Sequence, residues 1–280
     1  MKCKFCHISM DEVMQIDSPV TPYSYMLYEC HSCASRFFNH SEHDVSLAEL
    51  YDDLAKHRAH FPVEFTPKPY WQNQKNILIN LLGKEPESIL DVGARTGDFL
   101  LHFDESIHRT GVEVSNYFCE IARKRGLTMH EAFLEDITFE NKFQIVSSYA
   151  IMEHLKDPVK FLDILQAIVK KGGILVIMVP THQSLKARFL QKKWHMYSPP
   201  EHLNFYSRRM LDEYLLDKGF TLQKRYYSIG GMFKPFRNVP GLKKIHRKIP
   251  GFLDALPLIK KIPVYDHMFS YYKRDYSLDE

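Results

Sequence analysis

The hydrophobic pattern from residue 86 onward alternates between two periods. Short apolar runs such as "SILDVG" and "KFQIVSSYA" are typical of buried strands, and segments with helical spacing such as "NYFCEIARKRG" lie between them. Strands separated by helices of about 10 to 15 residues need crossover connections, so the pattern predicts a parallel sheet covered by helices. Residues 86–280 are therefore predicted to form an α/β domain whose ligands bind beyond the carboxyl ends of the strands.

The same pattern assigns the remaining elements of this domain. Helices are predicted over "GDFLLHFDES" and "DPVKFLDILQAIVKKGG", and a strand over "ILVIMVP". Near the carboxyl terminus "TLQKRYYS" is predicted to join the sheet edge, with "DHMFSYYKRD" as its antiparallel partner.

Residues 1–44 are dominated by cysteines. Two pairs have the same spacing, Cys3-x-x-Cys6 and Cys30-x-x-Cys33. A C-x-x-C knuckle turns both thiolates toward one point, and two knuckles supply the four soft ligands that tetrahedral zinc prefers. We therefore predict a zinc ribbon with a structural Zn²⁺ on these cysteines; a redox pair or two unrelated thiol pairs is the alternative.

Other polar groups near the ribbon receive simpler interpretations. His7 and His31 flank the knuckles and could replace a ligand, although flanking histidines are more often solvated. Cys119 lies on a predicted helix and is expected in the core. Residues 45–85 have helical spacing twice and are predicted to form a helical bridge to the main domain.

A glycine-containing turn follows the first strand of the α/β domain. A dinucleotide fingerprint requires G-x-G-x-x-G, but here Arg95 takes the intermediate position between Gly93 and Gly97, and Asp98 replaces the last glycine. Pyrophosphate binding is therefore disfavoured, because bare backbone can no longer approach the ligand along the whole turn.

Two acids flank this turn. Asp91 ends the first strand and Glu113 ends the second. A carboxylate at that second position can accept both hydroxyl protons of a ribose. The pair favours a ligand with a ribose, no phosphate and a cationic end.

The motifs "ILDVGARTGDF", "GVEVS", "FQIVSSYAIMEHLKDP" and "KKGGILVIMVP" together resemble the class I methyltransferases that use S-adenosylmethionine (SAM), over roughly residues 70 to 228. The resemblance implies a Rossmann-like, seven-stranded sheet. It also implies a set of cofactor-binding residues, namely Asp91, Gly93, Ala94, Gly97, Glu113, Val114, Leu134 and Tyr149.

This sequence departs from the family's pattern at two positions. Arg95 replaces a frequent glycine, and Phe133 stands where many relatives carry an acid near the adenine, so we expect the adenine to be held by stacking or backbone contacts. The knuckles together with "SPPEHLNFYSRRMLDEYLLDKGF" resemble the branch that methylates sugars, glycans and small metabolites.

The cofactor determines what the acceptor side must do. SAM makes its methyl group electrophilic, so the enzyme has to align a nucleophile and exclude water. A hydroxyl acceptor also needs a base, and His154 is the first candidate and His202 the second. Either histidine could instead be structural: His154 by bonding a loop carbonyl, and His202 by lying just before the helix cap Ser207. Three later side chains could form a lid over the acceptor, namely Trp194, His195 and Tyr197, although aromatic residues in such a loop are as often part of the core.

Residues 230–262 carry eight lysines and arginines, and Asp254 is their only acid. They are predicted to form a basic helical insertion. It could be a solvated cap, or it could face a nucleotide-linked sugar, an anionic glycan or a phospholipid surface as a peripheral membrane contact. Nucleic acid is disfavoured because stacking aromatics are not interleaved with the cations.

Composition narrows the class of protein. No apolar run approaches the roughly 20 residues of a membrane span, and the first residues lack signal-peptide features, so a cytoplasmic enzyme is expected. The sequence predicts a SAM-dependent methyltransferase that methylates an oxygen of a sugar-containing or small-metabolite acceptor. The alternatives are an RNA- or tRNA-modifying methyltransferase, and a non-catalytic ribbon module that binds RNA or protein.

Overall fold

A computed structural model describes residues 1–39, 64–228 and 266–275. The first part of the predicted helical bridge, 45–63, and the whole basic insertion, 230–262, lie outside the described residues. The chain divides into two compact units. The ribbon unit comprises Met1–Ser41, Met178–Leu211 and Lys224–Ser270; the sheet unit comprises Glu42–Ile177, Asp212–Gln223 and Tyr271–Glu280.

The described residues contain eleven strands and five α-helices. The strands are β1 (Met10–Asp17), β2 (Ser24–Cys30), β3 (Arg36–Phe38), β4 (Ser88–Val92), β5 (His108–Glu113), β6 (Thr128–Glu131), β7 (Phe143–Tyr149), β8 (Val169–Pro180), β9 (Asn204–Phe205), β10 (Phe220–Ser228) and β11 (His267–Arg274). The helices are α1 (Pro69–Leu82), α2 (Asn116–Lys124), α3 (Pro158–Ala167), α4 (Leu185–Leu190) and α5 (Arg208–Leu216).

A seven-stranded sheet has the order β10-β11-β8-β7-β4-β5-β6. β4 pairs in parallel with β5 and β7, and β5 pairs in parallel with β6. All five residues of β4 are buried, as expected for a central strand covered on both faces. This order confirms the predicted α/β, Rossmann-like class and brings the carboxyl ends of β4, β5 and β7 to one edge.

Helix boundaries follow local chemistry. α1 begins at Pro69, whose missing N–H costs nothing in a first turn, and ends at Gly83, which takes a left-handed conformation (φ +79°). α2 buries Phe118 and Cys119, so the prediction that this cysteine is a core residue is confirmed. Both helices were predicted from their spacing.

Two predicted helices differ in the structure. "GDFLLHFDES" forms only a 3-10 turn, Leu100–His102. The chain buries Phe99, Leu100 and Phe103 around that turn, and it therefore lacks the solvated face of an amphipathic helix.

The helix predicted to run through "VKKGG" ends at Ala167, and β8 begins at Val169. Glycines destabilise a helix interior, and Gly173 lies where a Cβ would come within 2.7 Å of the Gln144 carbonyl oxygen. The close approach of β8 to β7 therefore favours a strand over a helix at these glycines.

The ribbon unit contains a second sheet, of order β1-β2-β3-β9. β9 comes from far along the chain and pairs Phe205 with Arg36 of β3. The buried cluster on this sheet draws on both parts of the chain, with Ile16, Tyr25, Leu27, Phe38, Ala187, Trp194, Tyr197, Leu203 and Phe205. Trp194 and Tyr197 are therefore core residues, which is one of the two possibilities that the sequence left open for them; His195 is exposed.

Within the described residues, no helix combines the length and apolar character needed to cross a bilayer.

Candidate cofactor site and candidate metal centre

Asp91 lies one residue before the end of β4 and is almost completely buried. The hydroxyl of Ser147, its register partner on β7, donates to Asp91 Oδ1 at 2.7 Å. Burial raises the pKa of Asp91 to about 7; the Ser147 hydrogen bond lowers it, and the charge of Glu113 raises it further. A cationic ligand at this edge would favour the ionised form.

The turn after β4 depends on its glycines. Gly93 (φ +77°) and Gly97 (φ +75°) are left-handed. A Cβ on Gly93 would lie 2.3 Å from Cδ1 of Ile151, so only glycine fits without displacement. The N–H groups of Gly93 and Ala94 both donate to the carbonyl of Val112, at 2.8 and 3.0 Å, which ties the turn to β5.

Arg95 occupies the tip of this turn in a left-handed conformation (φ +48°), which is uncommon for a residue other than glycine. Its backbone N–H donates to Glu113 Oε2 at 3.0 Å. Its guanidinium carbon lies 4.9 Å from the ring centroid of Phe118 on α2, within cation–π range. The Arg95 side chain therefore packs on α2, and its backbone takes the left-handed conformation that a glycine would take at this position.

Glu113 ends β5 and is buried. Its Oε1 accepts the N–H of Ser115 at 3.0 Å, so each carboxylate oxygen holds one backbone N–H and keeps further acceptor capacity. Burial raises the pKa of Glu113, and the backbone hydrogen bonds and Arg95 act against that rise. Two oriented acceptors fit the two hydroxyls of a ribose.

Buried hydroxyls near these strand ends give a second indication of a ligand. Ser115 precedes α2, yet its side chain makes no cap hydrogen bond. Within the described part of the chain, its hydroxyl and that of Ser148 on β7 are buried without a hydrogen-bond partner. Buried polar atoms are normally paired, so these two residues fit a site that takes a polar ligand.

The other predicted cofactor residues lie along the same edge or next to it. Val114 follows Glu113 and is partly buried. Leu134 is buried in a 3-10 turn after β6, and Phe133 beside it is 48% exposed, as a ring that stacks on an adenine would need to be. Tyr149 ends β7, and its ring packs against Trp71 at 5.1 Å between centroids.

Sequence reasoning missed two features of this edge. Ser147 is the partner of Asp91, and the only signal for it is a polar pair in an otherwise apolar strand. Ala150, directly after β7, has φ +56°. Such strain in a residue other than glycine is concentrated at functional sites, and no sequence pattern announces it.

The two candidate bases belong to different units. His154 closes a 3-10 turn after β7, is buried, and places its Nε2 3.9 Å from Oε1 of the buried Glu153. His202 belongs to the ribbon unit, where its Nδ1 lies 2.9 Å from the carbonyl oxygen of Met196 and must donate to it. Burial lowers the pKa of His202, although Glu201 and the Met196 carbonyl act against that shift. The catalytic role of either histidine stays a prediction.

The four ribbon cysteines converge. Sγ of Cys6 lies 3.4 Å from those of Cys3 and Cys30, and Cys3 Sγ lies 3.7 Å from Cys33 Sγ. Four thiolates at about 2.3 Å from a tetrahedral zinc lie ~3.8 Å apart, so the donor set fits this ion. The hydrogen bond between Cys3 and Cys33 lowers the pKa of Cys33 and raises that of Cys3, and burial raises the pKa of Cys6. A metal bound by all four thiolates would therefore have to displace protons.

The two knuckles have the same backbone geometry. The residue after each second cysteine is left-handed, with φ +57° at His7 and +56° at Ala34. Each donates its N–H to the carbonyl of the first cysteine of its pair, at 3.1 and 2.8 Å. His31 instead lies 2.8 Å from Asp11 on the surface, and it is not part of the cluster that Cys3, Cys6, Cys30 and Cys33 form.

The second knuckle also holds the chain that follows β8. Ser207 caps α5 by accepting the N–H of Met210, donates its hydroxyl to the Cys33 carbonyl, and donates its N–H to Ser35 Oγ at 3.0 Å. His182 Nε2 lies 2.9 Å from the Ala34 carbonyl. The candidate metal centre therefore supports residues well outside 1–44.

Known proteins resemble this chain in sequence and in fold. A curated but uncharacterised protein of Methanocaldococcus jannaschii is 27% identical over 160 residues, 57% of this chain and 74% of the relative. Among solved structures, the plantazolicin methyltransferase BpumL with a pentazolic analog and SAH gives a TM-score of 0.53 at 15% identity, covering 82% of this chain and 90% of that one. A chain from a complex of the Haloferax volcanii Trm112 methyltransferase activator gives 0.50 at 14% identity, covering 74% and 95%.

These structural likenesses concern the fold, and the family itself is shown by sequence. The profile described as "Methyltransferase domain" matches residues 71–225, more than half of the chain. That match spans the glycine turn and the strand ends that carry Asp91 and Glu113. The chain belongs to the methyltransferase domain family.

Proposed function

We propose that this protein transfers a methyl group from SAM to an oxygen of a sugar-containing or small-metabolite acceptor. The observation that carries the proposal is the pair of buried carboxyl groups, Asp91 and Glu113, at the ends of adjacent parallel strands beside the Gly93 turn. Among the residues that the structure describes, neither acid accepts a hydrogen bond from a charged side chain. Such acids, next to a glycine-lined backbone, suit a nucleoside with a positive charge better than a pyrophosphate.

Each residue has a defined part in holding the cofactor. Glu113 accepts the ribose hydroxyls with the acceptor capacity that Arg95 and Ser115 leave on its two oxygens. Asp91 interacts with the cationic end, and Ser147 fixes its orientation. Phe133 offers an exposed ring for the adenine. When bound, SAM supplies an electrophilic methyl group on a sulfonium.

His154 is proposed as the base. A hydroxyl acceptor becomes a sufficient nucleophile when its proton moves to an imidazole nitrogen as the new bond to carbon forms. Glu153 is buried next to His154 and would stabilise the resulting imidazolium. The sugar-containing acceptor itself is proposed from the resemblance of the knuckles and of residues 198–220 to that branch of the family.

We further propose that Cys3, Cys6, Cys30 and Cys33 bind a structural Zn²⁺. The donor set, the sulfur separations and the matching knuckle turns support it. The ribbon buries these cysteines largely away from water, which suits a structural ion rather than an open catalytic one.

The first experiment is a calorimetric titration with SAM and with its demethylated product. Glu113→Gln should weaken binding by about 10- to 100-fold, because charge-assisted hydrogen bonds to the ribose are replaced by neutral ones. Glu131→Gln is the matched control, since Glu131 is the register partner of Glu113 on β6 and pairs with Arg123 on the surface. Absence of SAM binding by the wild type, together with salt-sensitive RNA binding, would favour the non-catalytic module.

A structure with the demethylated product would then test the acceptor. The cavity beside the sulfur would give the size and charge of the group that is methylated. Methylation of a modified tRNA but of no small molecule would replace the proposed acceptor and leave the cofactor assignment intact.

A further inference from the structure

α4 and the 3-10 turn that follows it, Gln191–Lys193, present apolar side chains to solvent. Phe189 is 87% exposed, the highest value among the large hydrophobic side chains that the structure describes. Leu185 is 49% exposed and lies four residues earlier, on the same face of the helix. An exposed aromatic next to an exposed leucine is a costly arrangement for a surface that only meets water.

The exposure of Phe189 is not the result of a loosely attached helix. Ser184 caps α4 by accepting the N–H of Ala187 at 3.0 Å, and Ala187 is buried in the ribbon core. Buried Asp266 accepts from Lys186 at 2.6 Å on one oxygen and from the Trp194 indole at 2.7 Å on the other. The helix is thus fixed on both sides, and its outer face is held toward solvent.

Cations surround these apolar side chains. Arg188, Lys192 and Lys193 are exposed, and residues 185–193 include no acid. Over the stretches that the structure describes, none of the three forms an ion pair, whereas Lys186 is neutralised by Asp266. We call the exposed set the Phe189 surface: Leu185, Arg188, Phe189, Lys192 and Lys193.

We propose that the Phe189 surface docks on an anionic lipid membrane. Apolar side chains that enter the boundary between headgroups and acyl chains, flanked by lysine and arginine, are the features of an interfacial helix. Phe189 and Leu185 would leave water, while the three cations would meet lipid phosphates and need not be dehydrated.

Charge disfavours other occupants of the Phe189 surface. Residues 230–262 of this chain carry eight basic side chains against one acid, so they would bring like charge to it. A second copy in a symmetric contact would set the same three cations against each other. RNA would satisfy the cations, but a single ring and a leucine make a poor stacking platform.

Membrane docking by the Phe189 surface does not depend on methyl transfer. A protein that failed to bind SAM could still bind membranes, and the SAM titration separates the two results.

The test is co-sedimentation of the full chain with vesicles of phosphatidylcholine alone and of phosphatidylcholine mixed with phosphatidylglycerol. The wild type should bind the mixed vesicles. Phe189→Ser should weaken that binding about tenfold or more, because burial of the ring is lost. The double variant Lys192→Glu/Lys193→Glu should weaken it at least as much. Leu216→Ser is the control, since Leu216 is 56% exposed on a different helix, α5.

Insertion can be observed directly with Phe189→Trp, whose fluorescence brominated phospholipids should quench beyond that of the parent protein; Leu216→Trp should show no added quenching. Equal vesicle binding by wild type and Phe189→Ser would overturn the proposal and assign any membrane affinity to other basic residues. A loss of RNA binding or of self-association on Phe189→Ser, with vesicle binding unchanged, would also overturn it in favour of that partner.

Discussion

Asp91→Asn tests whether burial at the end of β4 disfavours ionisation of the Asp91 carboxyl. Asparagine keeps the shape and can still accept the Ser147 hydroxyl. In the wild type, burial raises the pKa of Asp91 from 3.8 to about 7. Without ligand, ionisation of Asp91 therefore lowers the free energy of unfolding, and asparagine does not have this cost because it does not ionise.

The magnitude follows from linkage. Below pH 3.8 the carboxyl is protonated in both states and contributes nothing; between 3.8 and about 7 the unfolded chain ionises first, so the folded state loses stability. Above about 7 both states are ionised and the loss levels off at ~4 kcal/mol. The advantage of Asp91→Asn in free energy of unfolding should therefore grow by about 3 kcal/mol between pH 5 and pH 8.

The assay is urea unfolding followed by circular dichroism at pH 5, 6, 7 and 8, without cofactor. Asp98→Asn is an opposite control. Although burial favours protonation of Asp98, its ion pairs with Lys68 and Arg125 lower its pKa below 3.8, so its stabilising contribution is already complete at pH 5. This variant should therefore be less stable than wild type by the same amount from pH 5 to pH 8. A difference between Asp91→Asn and wild type that is constant from pH 5 to pH 8 would refute the reasoning about burial.

Three further predictions concern other residues. Gly93→Ala should lower the free energy of unfolding by about 2 to 4 kcal/mol in urea titrations, because its Cβ would meet a side chain at 2.3 Å, whereas Gly83→Ala, with open space around it, should cost only about 1 kcal/mol. His154→Ala should lower turnover about 100-fold or more in a methyl-transfer assay and leave the dissociation constant of SAM unchanged; unchanged turnover would exclude it as the base. Cys30→Ser should abolish stoichiometric zinc in metal analysis and increase hydrogen exchange in β3 and β9 while β4 stays protected; equal protection in β9 would contradict a metal-supported ribbon.

The part of the fold that short-range pattern governs was predictable. β4 and β7 are largely apolar because both faces of a central parallel strand are buried, and the parallel pairing of β4 with β5 places Asp91 and Glu113 on one edge. Cys3-x-x-Cys6 and Cys30-x-x-Cys33 were informative because a knuckle is a local structure.

The features that were missed depend on residues far apart in sequence. Ser147 is only one polar residue in a strand until the register sets it opposite Asp91. The sequence around Trp194 fits a lid as well as a core, and its buried partner Asp266 is distant along the chain. Arg95 looks unsuitable for its turn until Phe118 is seen to hold its guanidinium. In each case a long-range contact overrides a local preference.

The pairing of β9 with β3 has a consequence for biosynthesis. When the knuckles leave the ribosome, the strand and the aromatic side chains that complete their sheet and core have not been made, because they come from residues 187–205. The amino-terminal piece must wait, with one sheet edge unpaired, while most of the polypeptide is synthesised. Residues 1–44 are therefore not a module that can be transferred alone. Grafted onto another protein, they would lack β9 and the apolar side chains that complete their core.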